Sequence, residues 1–148
     1  MILDGLLFIN NVDVYQTYGV FLSENNASDH ANYSALLKPS DIKPTIAVNF
    51  REENGEKLPD ELLPRSEPRD ISLQFAIIAT STTDYKQKYK SFVQFLKAGW
   101  LNINVTELGE TFKMYFLSCD NYDQLTALND NTVAAKFKVR FREPVPFI

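Results

Sequence analysis

Two pairs of neighbouring side chains could take part in acid–base or nucleophilic chemistry. His30, the only histidine, follows Asp29, and Cys119, the only cysteine, precedes Asp120. A His–Asp pair can act as a general base, but catalysis also needs a nucleophile and an oxyanion donor, and the sequence indicates neither. A carboxylate beside a thiol disfavours the thiolate, which is the nucleophilic form of cysteine. We therefore expect a non-enzymatic protein in which Cys119 is a buried or half-buried structural residue.

A cluster of carboxylates could in principle hold a hard cation, because calcium takes several carboxylate oxygens as ligands. The cluster consists of Glu52, Glu53, Glu56, Asp60 and Glu61. Its spacing does not match an EF-hand loop, and Lys57 lies in its middle. We interpret these side chains as solvated charges, and we expect neither a metal ion nor another cofactor.

The last apolar segment carries a row of cations at every second position: Lys136, Lys138, Arg140 and Arg142. In a strand all four side chains project from one face. Such a stripe can protect an edge strand from unwanted pairing, or it can contact an acidic neighbour such as residues 52–61 of another subunit. Nucleic acid is the weaker partner, because the net charge is −4 and the face that carries the cations has no interleaved aromatic residues for stacking.

Length and composition indicate one folded domain over residues 1–148. A chain of 148 residues, 45% of them hydrophobic, can bury a core without disulfides or metal ions. One cysteine excludes an intramolecular disulfide. The N-terminus lacks the basic region of a signal peptide, and no apolar run approaches the roughly 20 residues of a membrane span. We therefore expect a cytoplasmic protein that does not contact a membrane.

The clearest pattern is strand, helix, strand between Arg69 and Val105. Alternating apolar residues at both ends predict two strands. Between them, Ser81 is a candidate N-cap and Gly99 is suited to end a helix. One helical stripe contains the apolar residues Tyr85, Tyr89, Phe92, Val93 and Leu96. We predict one amphipathic helix over about 83–98, packed on a sheet.

Alternating segments elsewhere predict five more short strands, at residues 6–9, 18–22, 45–51, 111–117 and 135–142. Most connections are too short for crossovers, which favours antiparallel pairing. The predicted fold class is α+β, mostly β: an antiparallel β-sandwich or split barrel with one helix packed on it.

Two long polar segments interrupt this pattern. Residues 23–44 are predicted to be an irregular loop, and residues 51–69 an extended arm whose prolines exclude a central strand or a long helix. Leu58, Leu62 and Leu63 are apolar residues in this charged arm. The arm can fold back on its own domain or dock on a neighbour, and the sequence leaves both open.

The order of these elements resembles that of phage tail proteins. The similarity includes the opening Asn11-Val12-Asp13 and Tyr18-Gly19-Val20-Phe21-Leu22, a strand that begins at Arg69, and a helix that ends at Gly99. More narrowly, the layout is similar to the N-terminal domain of distal tail (baseplate hub) proteins and to the related tail-tube fold of phages and prophages. Asn11 stands where that family has glycine.

The resemblance implies a structural role in the assembly of rings. Members of the family form hexameric rings around an inner β-barrel, and their loops and arms contact neighbouring subunits. The chain would then bind copies of itself and other tail proteins, first in the cytoplasm of the producing bacterium and later in the virion tail. The implied subunit interface consists of Arg51, Leu58, Leu62, Leu63, Arg65, Lys136, Lys138, Arg140 and Arg142.

The sequence does not determine the position of the protein in the tail, and it also leaves an alternative function open. Distal tail proteins often carry a further C-terminal domain, whereas this sequence reaches Ile148 soon after its last predicted strand, so hub, tube and tail-completion positions all remain. The alternative function is a small β-sandwich that binds a ligand or carbohydrate. Its candidate stacking surfaces are Trp100, Tyr15, Tyr18 and Tyr122, although Trp100 is expected to pack in the core beside the helix.

Overall fold

The computed structural model describes residues 4–24, 26, 29–128 and 131–148. Its elements are β1 (Leu7–Ile9), β2 (Val12–Asp13), α1 (Val14–Tyr18), β3 (Val20–Leu22), α2 (Ala31–Leu37), β4 (Arg69–Ala79), α3 (Thr82–Lys97), β5 (Trp100–Val105), β6 (Glu110–Gln124) and β7 (Val133–Glu143). The strands form one antiparallel sheet in the order β2-β1-β5-β6-β7-β4-β3, which is not closed into a barrel. The predicted class, α+β and mostly β with an amphipathic helix on an antiparallel sheet, is confirmed.

The longest uninterrupted pairing in the sheet joins β4 and β7. All eleven residues of each strand are in register, from Arg69 opposite Glu143 to Ala79 opposite Val133. Because side chains alternate along a strand, one face of the pair enters the core and the other remains polar. The core face consists of Ile71, Leu73, Phe75, Ile77, Ala79, Val133, Ala135, Phe137, Val139 and Phe141.

Helix α3 covers the core face of the sheet. It begins after Ser81, whose hydroxyl accepts a hydrogen bond from the Asp84 amide at 3.1 Å, and its bounds lie within one residue of the predicted 83–98. Phe92 is fully buried, and its ring centroid lies 5.7 Å from that of Phe75 and 5.9 Å from that of Phe137. Aromatic pairs of this kind add about 0.5–1.5 kcal/mol each beyond the burial of area.

Two short helices were not predicted from the sequence. α1 contacts both β1 and β3, which lie near opposite ends of the sheet. α2 lies within the segment 23–44 that was expected to be irregular; residues 25, 27 and 28 of that segment lie outside the described residues. The start of α2 was missed because its cap is distant in sequence. The Glu24 carboxylate accepts hydrogen bonds from the amides of Ala31 and Asn32, at 3.1 and 3.0 Å.

Asn32 extends the hydrogen bonding of the sheet beyond the end of β3. Its Oδ1 accepts a hydrogen bond from the Gln74 amide at 2.7 Å, and its Nδ2 donates to the Ser23 carbonyl at 2.8 Å and to the Gln74 carbonyl at 3.3 Å. The side-chain amide thus replaces a neighbouring strand at this edge of β4. Helix and side chain together cover an edge that could otherwise pair with another chain.

Residues 41–66 form an arm of two extended segments that leaves the domain between α2 and β4. The segments meet at isolated bridges between Ile42 and Ser66 and between Val48 and Lys57. Every residue from 41 to 66 is exposed. The predicted half-buried strand at 45–51 is therefore wrong: Ile46 is 83% exposed, because no core lies beside this segment.

The sheet also corrects three predictions near β5 and β6. β6 continues to Gln124, beyond the predicted strand at 111–117, through register shifts on either side of Ser118 and Cys119. Cys119 is exposed rather than buried. Trp100 is 52% exposed, because it projects from the polar face of the sheet, and the Lys113 ammonium lies 4.6 Å from its ring centroid.

A buried ion pair joins the base of the arm to the sheet. Arg69 Nε lies 2.7 Å from Glu143 Oε1, and the two side chains are 8% and 2% exposed. Arg69 Nη1 also donates to the Lys38 carbonyl at 2.5 Å. Lys38 precedes the arm and Arg69 follows it, so one guanidinium holds both ends of the arm at the end of the β4–β7 pair.

We expect Arg69→Met to lower the free energy of unfolding by about 3–5 kcal/mol, because it leaves the Glu143 carboxylate buried without a partner. The double variant Arg69→Met/Glu143→Leu should recover most of that loss in urea unfolding. Asp70→Asn, which breaks the exposed pair with Arg142, is the control and should change stability by less than about 1 kcal/mol. Equal losses in the single and double variants would show that an unpaired charge is not the cause.

We expect Asn32→Leu to destabilise the protein by about 1–3 kcal/mol, because the Gln74 amide loses its acceptor. Hydrogen exchange of the Gln74 amide should accelerate relative to the wild type, and by more than exchange of the β7 amides that pair with β4. Ser34→Ala is the matched control, since Ser34 is exposed on the same helix. Unchanged exchange at Gln74 in Asn32→Leu would contradict this assignment.

Candidate assembly interface

The arm carries apolar side chains that the rest of the domain does not cover. Its exposed apolar residues are Ile42, Ile46, Val48, Phe50, Leu58, Leu62 and Leu63. The three leucines predicted for the interface are 43%, 53% and 68% exposed. An isolated two-stranded ribbon is at best marginally stable in water, and monomeric proteins rarely expose contiguous apolar surface of this kind. The arm does not fold back on its own domain.

Three apolar residues of the two arm segments line one groove. Ile46 from the outgoing segment and Leu62 and Leu63 from the returning segment line a shallow groove of about 380 Å³. The predicted cation Arg65 lies on the same groove, and its Nη1 donates to the Pro64 carbonyl at 3.0 Å. Arg51 is exposed near the tip of the arm. The structure thus brings Leu62, Leu63 and Arg65 together.

The basic stripe does not lie on an edge strand. β7 is paired with β6 on one side and β4 on the other, so the expectation that these cations protect an edge is wrong. Arg142 Nε lies 2.8 Å from Asp70 Oδ1, and the hydrogen bond from Arg142 lowers the pKa of the Asp70 carboxyl. Lys136 lies opposite Asp123 of β6. In the described part of the chain, Lys138 and Arg140 form no ion pair.

Among the described residues, the arm and the stripe both border a hollow at the base of the arm. Asp41 of the arm and Arg142 of the stripe line a polar hollow of about 240 Å³, together with Arg69. From there Arg140, Lys138 and Lys136 continue along β7 towards the other end of the sheet. The predicted interface residues therefore form two surfaces rather than one.

The side chains around His30 stabilise structure. The Glu24 carboxylate caps α2, and Glu107 accepts a hydrogen bond from the Tyr33 hydroxyl at 2.7 Å. Burial and this hydrogen bond raise the pKa of Tyr33 to about 12, so the phenol stays protonated at neutral pH. Among the described residues, no three His, Cys, Asp or Glu side chains are grouped as metal ligands. None of the described helices is long and apolar enough to cross a membrane.

The aromatic residues considered for carbohydrate binding pack with different neighbours. Tyr15 packs edge-on against Phe21, Tyr18 stacks on Phe95, and Tyr122 packs edge-on against Tyr89. Trp100 packs against Tyr115, and Lys113 lies over its ring. These contacts do not combine the four rings into one stacking platform.

A second apolar surface, which the sequence analysis missed, lies between α3 and β6. This α3–β6 groove has a volume of about 350 Å³, and its lining includes Tyr89, Val93, Leu96, Lys97, Phe116 and Cys119. The groove lies beside the part of β6, positions 116–121, where the pairing with β7 is irregular. Val93 is the residue that could have indicated this groove from the sequence. It belongs to the apolar stripe of the helix, and in the structure it remains half-buried.

No protein-family model matches the sequence, and no curated protein matches it. Among solved structures, the fold is similar to that of the Dit (gp 19.1) protein of phage SPP1, described as a paradigm of the hub adsorption apparatus in phages that infect Gram-positive bacteria. The TM-score is 0.52 at 9% identity, over 94% of this chain and 50% of the Dit chain. The chain thus spans about half the length of that protein. At this identity the likeness concerns the fold, and this chain shares its fold with part of a phage hub protein.

Proposed function

We propose that this chain is a non-enzymatic structural component of a phage or prophage tail, which assembles into rings with copies of itself. The proposal rests mainly on one observation: the apolar side chains of the arm are exposed to solvent. The fold similarity to phage SPP1 Dit supports the tail context. Other tail proteins are the further partners, first in the cytoplasm of the producing bacterium and then in the virion tail.

The arm has enough apolar surface to contribute materially to a subunit contact. Full burial of a leucine or isoleucine side chain contributes about 1.5–3 kcal/mol. Ile46, Leu62 and Leu63 share one face and are each more than half exposed. Together they offset a substantial part of the roughly 4–15 kcal/mol that association costs in lost translational and rotational freedom.

The basic stripe supplies the second surface of the proposed interface. Lys138 and Arg140 have no ion pair in the described residues and lie on the polar face of the sheet. Glu52 and Glu56, near the tip of the arm of a neighbouring copy, have the complementary charge. Such rim charges act mainly on orientation and association rate, whereas the apolar face of the arm contributes most of the affinity.

We expect the wild-type protein to form oligomers whose mass rises above 16.9 kDa with concentration, and Leu62→Glu/Leu63→Glu to remain monomeric. Light scattering coupled to size exclusion, at several concentrations, measures both. The control is Val145→Glu, which places the same charge on an 85% exposed apolar residue outside the arm and should leave the oligomer unchanged. Because the substituted side chains are exposed, thermal unfolding of all variants should resemble the wild type when it is measured at a concentration at which the wild type is monomeric.

Two results would contradict the proposal. The first is a wild-type protein that stays at 16.9 kDa at every concentration. The second is an oligomer that persists unchanged in Leu62→Glu/Leu63→Glu, which would exclude this face of the arm as the connector.

A further inference from the structure

We propose that the α3–β6 groove is the surface that receives Leu62 and Leu63 from the arm of a second copy of this chain. The inference rests on the proposed function, since it names the acceptor for an arm that mediates assembly. The occupant of the groove is a neighbouring copy.

The groove has the apolar character that the leucines need. Val93 and Leu96 of α3 form one wall, and Phe116 of β6 and Val139 of β7 contribute to the other. Val93 and Phe116 are half-buried within the chain, so part of their apolar surface remains uncovered. Insertion of leucine side chains would remove this surface and the arm surface from water together, and apolar burial is the main favourable term in association.

The charges beside the two surfaces are complementary. Lys97 lies at the groove, with its ammonium 5.6 Å from the ring centroid of Phe116, and forms no ion pair in the described residues. On the arm, Asp60 and Glu61 directly precede Leu62 and likewise have no ion pair within the described ranges. A docked arm therefore places carboxylates near the unpaired ammonium, which favours one orientation of the arm.

The arm that fills the groove must come from another copy. Within one chain the arm begins and ends at the Arg69–Glu143 end of the β4–β7 pair. Leu62 and Leu63 of that arm are 53% and 68% exposed, so they do not occupy the groove of their own domain. An arm-to-groove contact is heterologous: each copy gives one arm and receives one. Such contacts close into rings when the rotation between copies permits.

Cys119 at the groove allows a direct test by disulfide cross-linking, because it is the only cysteine of the chain. A disulfide forms when the two Cα atoms approach to about 4.4–6.8 Å. In Leu62→Cys, each chain carries one thiol on the arm and one at the groove. Mild oxidation of the full-length protein should then give a covalent ladder beyond the dimer, whose longest member reports the number of copies in the ring. Glu52→Cys, at the tip of the arm, is the matched control and should not form the ladder.

The second variant, Leu62→Cys/Cys119→Ser, distinguishes a contact between arm and groove from a contact between two arms. If the arm enters the groove, the ladder disappears in this variant. If two arms meet one another, covalent dimers persist in it and the inference is overturned. Absence of a ladder from Leu62→Cys, while light scattering still detects the oligomer, also overturns the groove as acceptor.

Val93→Glu tests the same contact without an introduced thiol, because it places a carboxylate in the groove against Asp60 and Glu61. It should weaken self-association at least tenfold, while Gln94→Glu on the exposed side of α3 leaves it unchanged. An intact oligomer in Val93→Glu that is lost in Leu62→Glu/Leu63→Glu would reject the groove and keep the proposed function. A wild-type protein that never oligomerises would reject both.

Discussion

The uninterrupted pairing of β4 with β7 is the constraint on which the rest of the structure depends. Its fixed register sends every second side chain of both strands into the core beneath α3 and leaves the alternate row, including the basic stripe, on the polar face. At one end of the pair, the buried ion pair of Arg69 with Glu143 fixes where the arm leaves the sheet. A one-residue slip would exchange the two faces and separate that ion pair.

This constraint divides the molecule into a packed scaffold and a projecting arm. The scaffold covers part of one sheet edge, where Asn32 and the helix α2 contact β4. The arm at 41–66 has two isolated bridges between its segments and a fully exposed surface. The exposed apolar side chains of the arm are the reason for proposing that the arm contacts other subunits.

The sequence predicts the elements whose periodicity reflects burial, such as α3 and β4, because a core makes the pattern regular. The same rule fails at 45–51, where Ile46 alternates as in a strand but has no core beside it. It also fails at α2, whose cap Glu24 is distant in sequence, and at Cys119, whose exposure follows from irregular strand register. The composition of the arm was visible in the sequence, whereas the α3–β6 groove depends on packing between distant segments.

Hydrogen exchange of the arm tests the central claim most directly, because it reports whether residues 41–66 become covered. Exchange should be measured in dilute and concentrated solutions of the wild-type protein. The account predicts that amides of the arm, especially around Leu62 and Leu63, exchange more slowly as concentration rises, while those of β4 and β7 do not change. Rapid exchange of the arm at every concentration would contradict the claim that the arm is a contact between subunits.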